Sequence, residues 1–158
     1  MQQIENNDKI SVLYVDDEEP NLKAFKANFR REFDVHIALS ADEGMKVLRE
    51  NDIHVVITDQ RMPAKTGIEF LEDVIEEFPD AMRMLLTGYT DVEAVIDAIN
   101  IGKVYNYISK PWDAANLRAM ILRAYEVHHL RAEVERLNKK LLKVNKQLEF
   151  MLRQKLIS

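Results

Sequence analysis

Five residues stand where they could do chemistry together. Asp16 and Asp17 follow one apolar run, with Glu18 and Glu19 behind them. Asp59 closes a second run, Thr87 a third and Lys110 a fourth. If those runs are strands ending on one side, three carboxylates, a hydroxyl and an ammonium share a pocket. Crowded carboxylates raise one another's pKa values, and a divalent cation relieves the conflict. An oxygen-only donor set selects a hard ion, and Mg²⁺ suits a few carboxylates completed by water. The lysine adds positive charge and the threonine a hydrogen-bond donor. Such a cage suits a phosphoryl group, whose oxygens need neutralising and orienting. One carboxylate could then act as nucleophile and form an aspartyl-phosphate. Taken singly, each element is ordinary: an Asp after a strand is usually a turn residue or a cap. The full set at four strand ends is what points to chemistry.

The elements that must position these residues are legible as alternation. Ile10 to Val15, Val35 to Leu39, His54 to Thr58, Met84 to Thr87 and Tyr105 to Ile108 are short runs rich in β-branched and aromatic residues. Continuous apolar runs of this length fit strands covered by helices on both faces. Segments of helical period lie between them. Phe25 and Phe29 sit four apart. Ser40 to Glu43, Thr66 to Glu69 and Thr90 to Glu93 each read as a capping box ahead of an apolar stripe. Pro79 and Gly102 act as stops. Strands alternating with helices predict an α/β fold, a doubly wound five-stranded parallel sheet with right-handed crossovers. In such sheets, sites form at the carboxyl ends of the strands.

Composition limits the classes. The chain has 158 residues, 47% hydrophobic and 31% charged, which excludes low-complexity and wholly disordered sequences. It has no Cys, so disulfides, thiolate metal sites and Cys nucleophiles are excluded. With no signal-peptide pattern, that fits a cytoplasmic location. No apolar run approaches the ~20 residues that span a bilayer, so no membrane insertion is expected. Residues 1–112 carry 12 Lys+Arg against 22 Asp+Glu, a net of −10; residues 113–158 carry 10 against 5, a net of +5. The acidic front argues against direct nucleic-acid binding. Lysines on a solvated helix account for the basic back.

The segments VDDEEPN, ITDQRMP followed by Gly67, LLTGYTD and YISKPW resemble the receiver domain of two-component response regulators, of the chemotaxis-receiver type. The resemblance covers roughly residues 9–125. It implies the flavodoxin-like strand order 2-1-3-4-5. It also implies that a sensor histidine kinase or phosphotransfer protein donates a phosphoryl group to Asp59. By the same resemblance, Asp17, Asp59 and the backbone carbonyl of Arg61 hold Mg²⁺, with Asp16 acting partly through water. Thr87 is the hydroxyl that swings onto the phosphoryl group, and Lys110 the ammonium that pairs with it. Tyr107 is the aromatic switch, and the bond before Pro111 is cis. Rearrangement of Thr87 and Tyr107 would then alter the face formed by the fourth helix, fifth strand and fifth helix. Two positions depart from the family's habit, and two more are bulky. Gln60 stands where an aliphatic residue is common, and Gly88 where Ala is usual. Arg61 and Tyr89 form a bulky pair at the positions that control water access, which implies slow hydrolysis.

From Asp113, a fitting N-cap, neither Pro nor Gly interrupts the chain before its last residue. That predicts one helix of about 65 Å. Its first turns, Leu117, Met120, Ile121 and Ala124, should pack on the sheet. Val127, Leu130, Val134, Leu137, Leu141, Val144, Leu148 and Met151 then follow at alternating spacings of three and four. That is a coiled-coil seam, and its Val and Leu content favours a parallel homodimer. An antiparallel return onto the receiver lacks a turn signal. His128 and His129 are adjacent on the helix and diverge, so they make no metal pair. The expected organisation is a mobile tail at 1–8, a receiver at 9–125 and a coiled-coil extension at 126–158.

Other function classes fit less well. A haloacid-dehalogenase-type phosphatase also uses an Asp nucleophile and Mg²⁺, but needs an acid two residues later, where this chain has Arg61. A dimerising scaffold without signalling would not need all the pocket residues. The chain could also be the front of a longer regulator. The expected function is a phosphorylation-dependent switch acting through the fifth helix, without enzymatic turnover beyond its own phosphoryl group.

Overall fold

The computed structural model describes residues 9–88 and 91–157. The expected tail at 1–8 therefore lies outside the described residues, as do Tyr89 and Thr90. Five strands, β1 (Ser11–Val15), β2 (Asp34–Ala38), β3 (Val55–Asp59), β4 (Met82–Thr87) and β5 (Asn106–Ser109), form one parallel sheet in the order β2-β1-β3-β4-β5. They alternate with α1 (Glu19–Phe29), α2 (Ala41–Glu50), α3 (Gly67–Glu77), α4 (Val92–Asn100) and α5 (Ala114–Ile157). The predicted doubly wound α/β fold and its strand order are present. The chain divides into two units, Met1–Tyr125 and Glu126–Ser158.

Side-chain alternation along the strands feeds both faces of the sheet. Leu13 and Val15 of β1, Val56 of β3 and Leu85 of β4 join one core with Met45 and Leu48 of α2, Phe70, Leu71 and Val74 of α3, and Val95 of α4. Tyr14 turns the other way. Its ring centroid lies 4.6 Å from that of Phe25 on α1, and Phe25 and Phe29 both reach Trp112. Leu117, Ile121 and Ala124 of α5 are buried, whereas Met120 is only partly so. Each large apolar side chain so buried contributes about 1.5–3 kcal/mol. β3 is buried along its whole length, but β2 and β5 are only partly covered. They are the sheet edges, where an apolar run is half solvated.

The caps position the loops. At α3 the Thr66 box is complete: Thr66 Oγ1 accepts from Glu69 N, and the Glu69 side chain reaches back to Thr66 N. At α2, Ser40 Oγ accepts from Glu43 N, but Glu43 Oε2 accepts from Leu39 N, one residue beyond the expected partner. At α4 the N-cap is Asp91, without a side-chain cap bond, and the box expected from Thr90 lies outside the described residues. Gly102, at φ 79°, ends α4 as expected. Its N–H donates to Ile99 O, and Lys103 N to Ala98 O. That pairing is a Schellman motif, which needs the left-handed region that glycine enters freely.

Candidate functional site

The carboxyl ends of β1, β3, β4 and β5 bring the predicted residues together. One oxygen from each of Asp16, Asp17 and Asp59 lies within 4.8 Å of the others. Asp16 is 0% exposed and Asp59 6%, while Asp17 is open to solvent. Lys110 Nζ lies 2.5 Å from Asp59 Oδ1. Burial raises the Asp59 carboxyl above its usual range; the Lys110 hydrogen bond and charge oppose this, and the Asp16 charge adds to it. Three carboxylates, no sulfur and one neighbouring ammonium make an oxygen-only donor set. It fits a hard divalent cation such as Mg²⁺.

Asp16 is held from three sides. Its Oδ1 accepts from Glu18 N at 2.9 Å. Its Oδ2 accepts from Tyr14 Oη at 2.6 Å and from Asn21 Nδ2 at 3.1 Å. Burial, reinforced by the bond to Asp16, pushes the Tyr14 hydroxyl far above its ordinary pKa, so it stays a donor.

Thr87 closes β4 and is buried; its Oγ1 donates to Gly88 O at 3.2 Å. Tyr107 of β5 is half-buried against the core. The Lys110–Pro111 peptide bond is cis, as the resemblance implies. Arg61, whose carbonyl was expected to face the ion, projects its side chain to Asp91, Nε to Oδ2 at 3.1 Å. Its expected partner in screening water, Tyr89, is outside the described residues. Among the described residues, a Cβ at Gly88 would meet nothing within 4 Å.

The loop after Asp59 is clamped by groups that sequence reasoning missed. Gln60 Oε1 accepts from Ile68 N at 2.9 Å, in the first turn of α3. Gln60 N donates to Leu86 O, and Gly67 N donates to Gln60 O. The polar residue at 60 therefore ties the phosphoacceptor candidate's neighbour to a helix start, which an aliphatic residue cannot do. Lys65 N donates to Pro63 O across Ala64, a γ-turn with Ala64 at φ 69°. The signal for Tyr14 was available, since residues two apart on a strand share a face. The signal for Gln60 was not, because it depends on the loop's path.

Residues 12–122 match the response regulator receiver domain family. The chain is 38% identical over 128 residues to the hydrogenase transcriptional regulatory protein HoxA of Cupriavidus necator, covering 81% of this chain and 27% of HoxA. It is 31% identical over 122 residues to the photosynthetic apparatus regulatory protein RegA of Rhodovulum sulfidophilum, covering 77% of this chain and 66% of RegA. A receiver domain structure from Clostridium thermocellum superposes with a TM-score of 0.73 at 31% identity, over 77% of this chain and 98% of that one. A structure described as an adenylate cyclase from Rhodopirellula baltica gives 0.81 at 28%, over 84% and 98%. The chain thus spans about a quarter of the length of HoxA, and a receiver accounts for most of its own. On the strength of the family match across 12–122, this chain belongs to the response regulator receiver domains of two-component signalling.

Proposed function

We propose that Asp59 accepts a phosphoryl group from the phosphohistidine of a sensor kinase or phosphotransfer protein. The observation that carries this is Lys110 Nζ at 2.5 Å from Asp59 Oδ1 beside a buried acidic cluster. A carboxylate oxygen of Asp59 attacks phosphorus, the O–P bond forms, and the donor's N–P bond breaks. The imidazole leaves with the electron pair. Asp16, Asp17, Asp59 and the Arg61 carbonyl would hold Mg²⁺, which neutralises phosphoryl oxygens when bound. Lys110 exchanges its carboxylate partner for a phosphoryl oxygen. Thr87 gives up the Gly88 carbonyl and donates to the same group, and Tyr107 follows into the space vacated. By the resemblance, positions 61 and 89 control water access, and bulky residues at both imply slow hydrolysis; a half-life of seconds would contradict that. The protein turns over nothing beyond its own phosphoryl group and works in the cytoplasm, without direct contact to nucleic acid.

The signal leaves through α5, a single helix from Ala114 to Ile157. The seam from Val127 to Met151 pairs with a second copy as a parallel coiled coil. Leu130, Val134, Leu137, Leu141, Val144, Leu148 and Met151 are 41–65% exposed in the single chain, which supports that pairing. A shift from 1:99 to 99:1 between two dimer arrangements requires about 5.5 kcal/mol of differential stabilisation.

The test is intact-mass analysis after incubation with Mg²⁺ and a small phosphoramidate donor. The wild type gains one phosphoryl group, and Asp59→Asn gains none. Lys110→Ala binds Mg²⁺ but is phosphorylated slowly. A phosphorylated Asp59→Asn variant would overturn the assignment.

A further inference from the structure

Tyr14 stands outside the phosphoryl chemistry, yet its hydroxyl makes the shortest contact to Asp16, 2.6 Å, in a fully buried setting. A carboxylate offers about four lone-pair sites, two on each oxygen. At Asp16 both sites of Oδ2 are taken, by Tyr14 Oη and Asn21 Nδ2, and one site of Oδ1 is taken by Glu18 N. One lone pair remains, on Oδ1.

We propose that Tyr14 is a positioning residue for the cation site: with Asn21 it occupies Oδ2 of Asp16 and leaves Oδ1 alone to face a divalent cation or a water bound to it. The inference rests on the Mg²⁺ reading of the acidic cluster and deepens it. Asp16 sits at the end of β1, and its torsions alone would let the carboxylate rotate. The Tyr14 ring cannot follow such a rotation, because it is wedged against Phe25, and Phe25 against Phe29. The aromatic packing of α1 therefore sets the angle at which Asp16 presents its free lone pair. Partners that orient a metal ligand from behind typically change metal affinity ten- to a hundredfold when removed.

The test is calorimetric titration of Mg²⁺ alone into wild type, Tyr14→Phe and Asn21→Ala, at fixed pH and ionic strength. Near-UV circular dichroism of Trp112 confirms that each variant is folded. Tyr14→Phe is expected to bind Mg²⁺ about tenfold more weakly. Asn21→Ala, on the partly exposed side of α1, is expected to weaken binding less and guards against a Tyr14→Phe variant that fails to fold. Mg²⁺ should also perturb the tyrosine band of the wild type and leave no such change in Tyr14→Phe. A purely structural role for Tyr14 would lower stability and leave Mg²⁺ affinity unmoved. Affinity within twofold of wild type in both variants, or tighter binding, overturns the inference while the Mg²⁺ reading stands. A wild type that does not bind Mg²⁺ overturns both.

Discussion

A Cβ at position 67 would fall 2.4 Å from the carbonyl oxygen of Asp59. It would also lie 2.7 Å from Leu85 Cδ1. Gly67 is therefore the residue that lets α3 start directly against the end of β3. Its N–H spans back to Gln60 O and locks the same turn. Gly67→Ala is expected to destabilise the fold by about 1–3 kcal/mol, the usual range for overpacking. Because the displaced atom belongs to Asp59, phosphorylation should slow more than the stability loss explains. Urea denaturation together with the phosphorylation rate checks this; a rate unchanged in a folded variant contradicts it.

Ala64 presents the opposite case. It holds φ 69° at the centre of a γ-turn, where a Cβ is strained by about 1–3 kcal/mol. Ala64→Gly relieves that strain against an unfolded-state cost of about 0.4–1 kcal/mol. The expected result is a net stabilisation of about 1 kcal/mol, read from the denaturation midpoint. A destabilised variant would mean that the turn is unstrained.

The outer faces of α2 and α3 are joined by Arg49, whose Nη2 lies 2.7 Å from Glu77 Oε1. The hydrogen bond and charge of Arg49 hold Glu77 below its ordinary value of 4.5. A carboxylate whose folded pKa is depressed adds stability above its unfolded pKa and loses it as pH falls through the folded value. The deficit of Arg49→Ala should therefore be constant near neutral pH. It should shrink as pH falls below about 4.5, where Glu77 begins to protonate in the unfolded chain. Denaturation curves for both proteins across that window check the sign. A deficit that grows on acidification contradicts it.

The seam on α5 gives a mass prediction. Leu137 and Leu141 are 48% and 58% exposed in the single chain, and pairing would cover both. Leu137→Asp with Leu141→Asp is expected to convert a dimer to a monomer by light scattering, with the receiver still folded. Beryllofluoride and Mg²⁺ added to the wild type then report whether the phosphorylated state changes the mass or only the geometry. A monomeric wild type in both states contradicts the coiled-coil reading.

Most of the fold was legible because strand runs and helix stripes carry different periods. The strand ends then followed from the order of elements, and with them the convergence of Asp16, Asp17, Asp59, Thr87 and Lys110. Legibility ended where geometry is non-local. The half-solvated edges β2 and β5 read as buried runs, since composition does not say which strands lie outermost. Glu43 reached Leu39 N instead of Ser40 N because the approach of the loop, and not the spacing, sets the nearest donor. Gln60 looked like a mere departure until the path of the β3–α3 loop placed its amide against Ile68 N. Tyr14 is the exception: its spacing of two from Asp16 puts both on one face, and the 2.6 Å contact gives its hydroxyl a purpose.

The central claim is that Asp59 is the phosphoacceptor, and chemical trapping tests it most directly. The wild type is incubated with Mg²⁺ and a phosphoramidate donor, and the acyl phosphate is reduced with borohydride, which converts the modified aspartate to homoserine. Peptide mapping then locates the converted residue. Conversion at position 59, abolished in Asp59→Asn, is the predicted result. Conversion at Asp16 or Asp17 instead, or none at any position in a protein that binds Mg²⁺, would contradict the account.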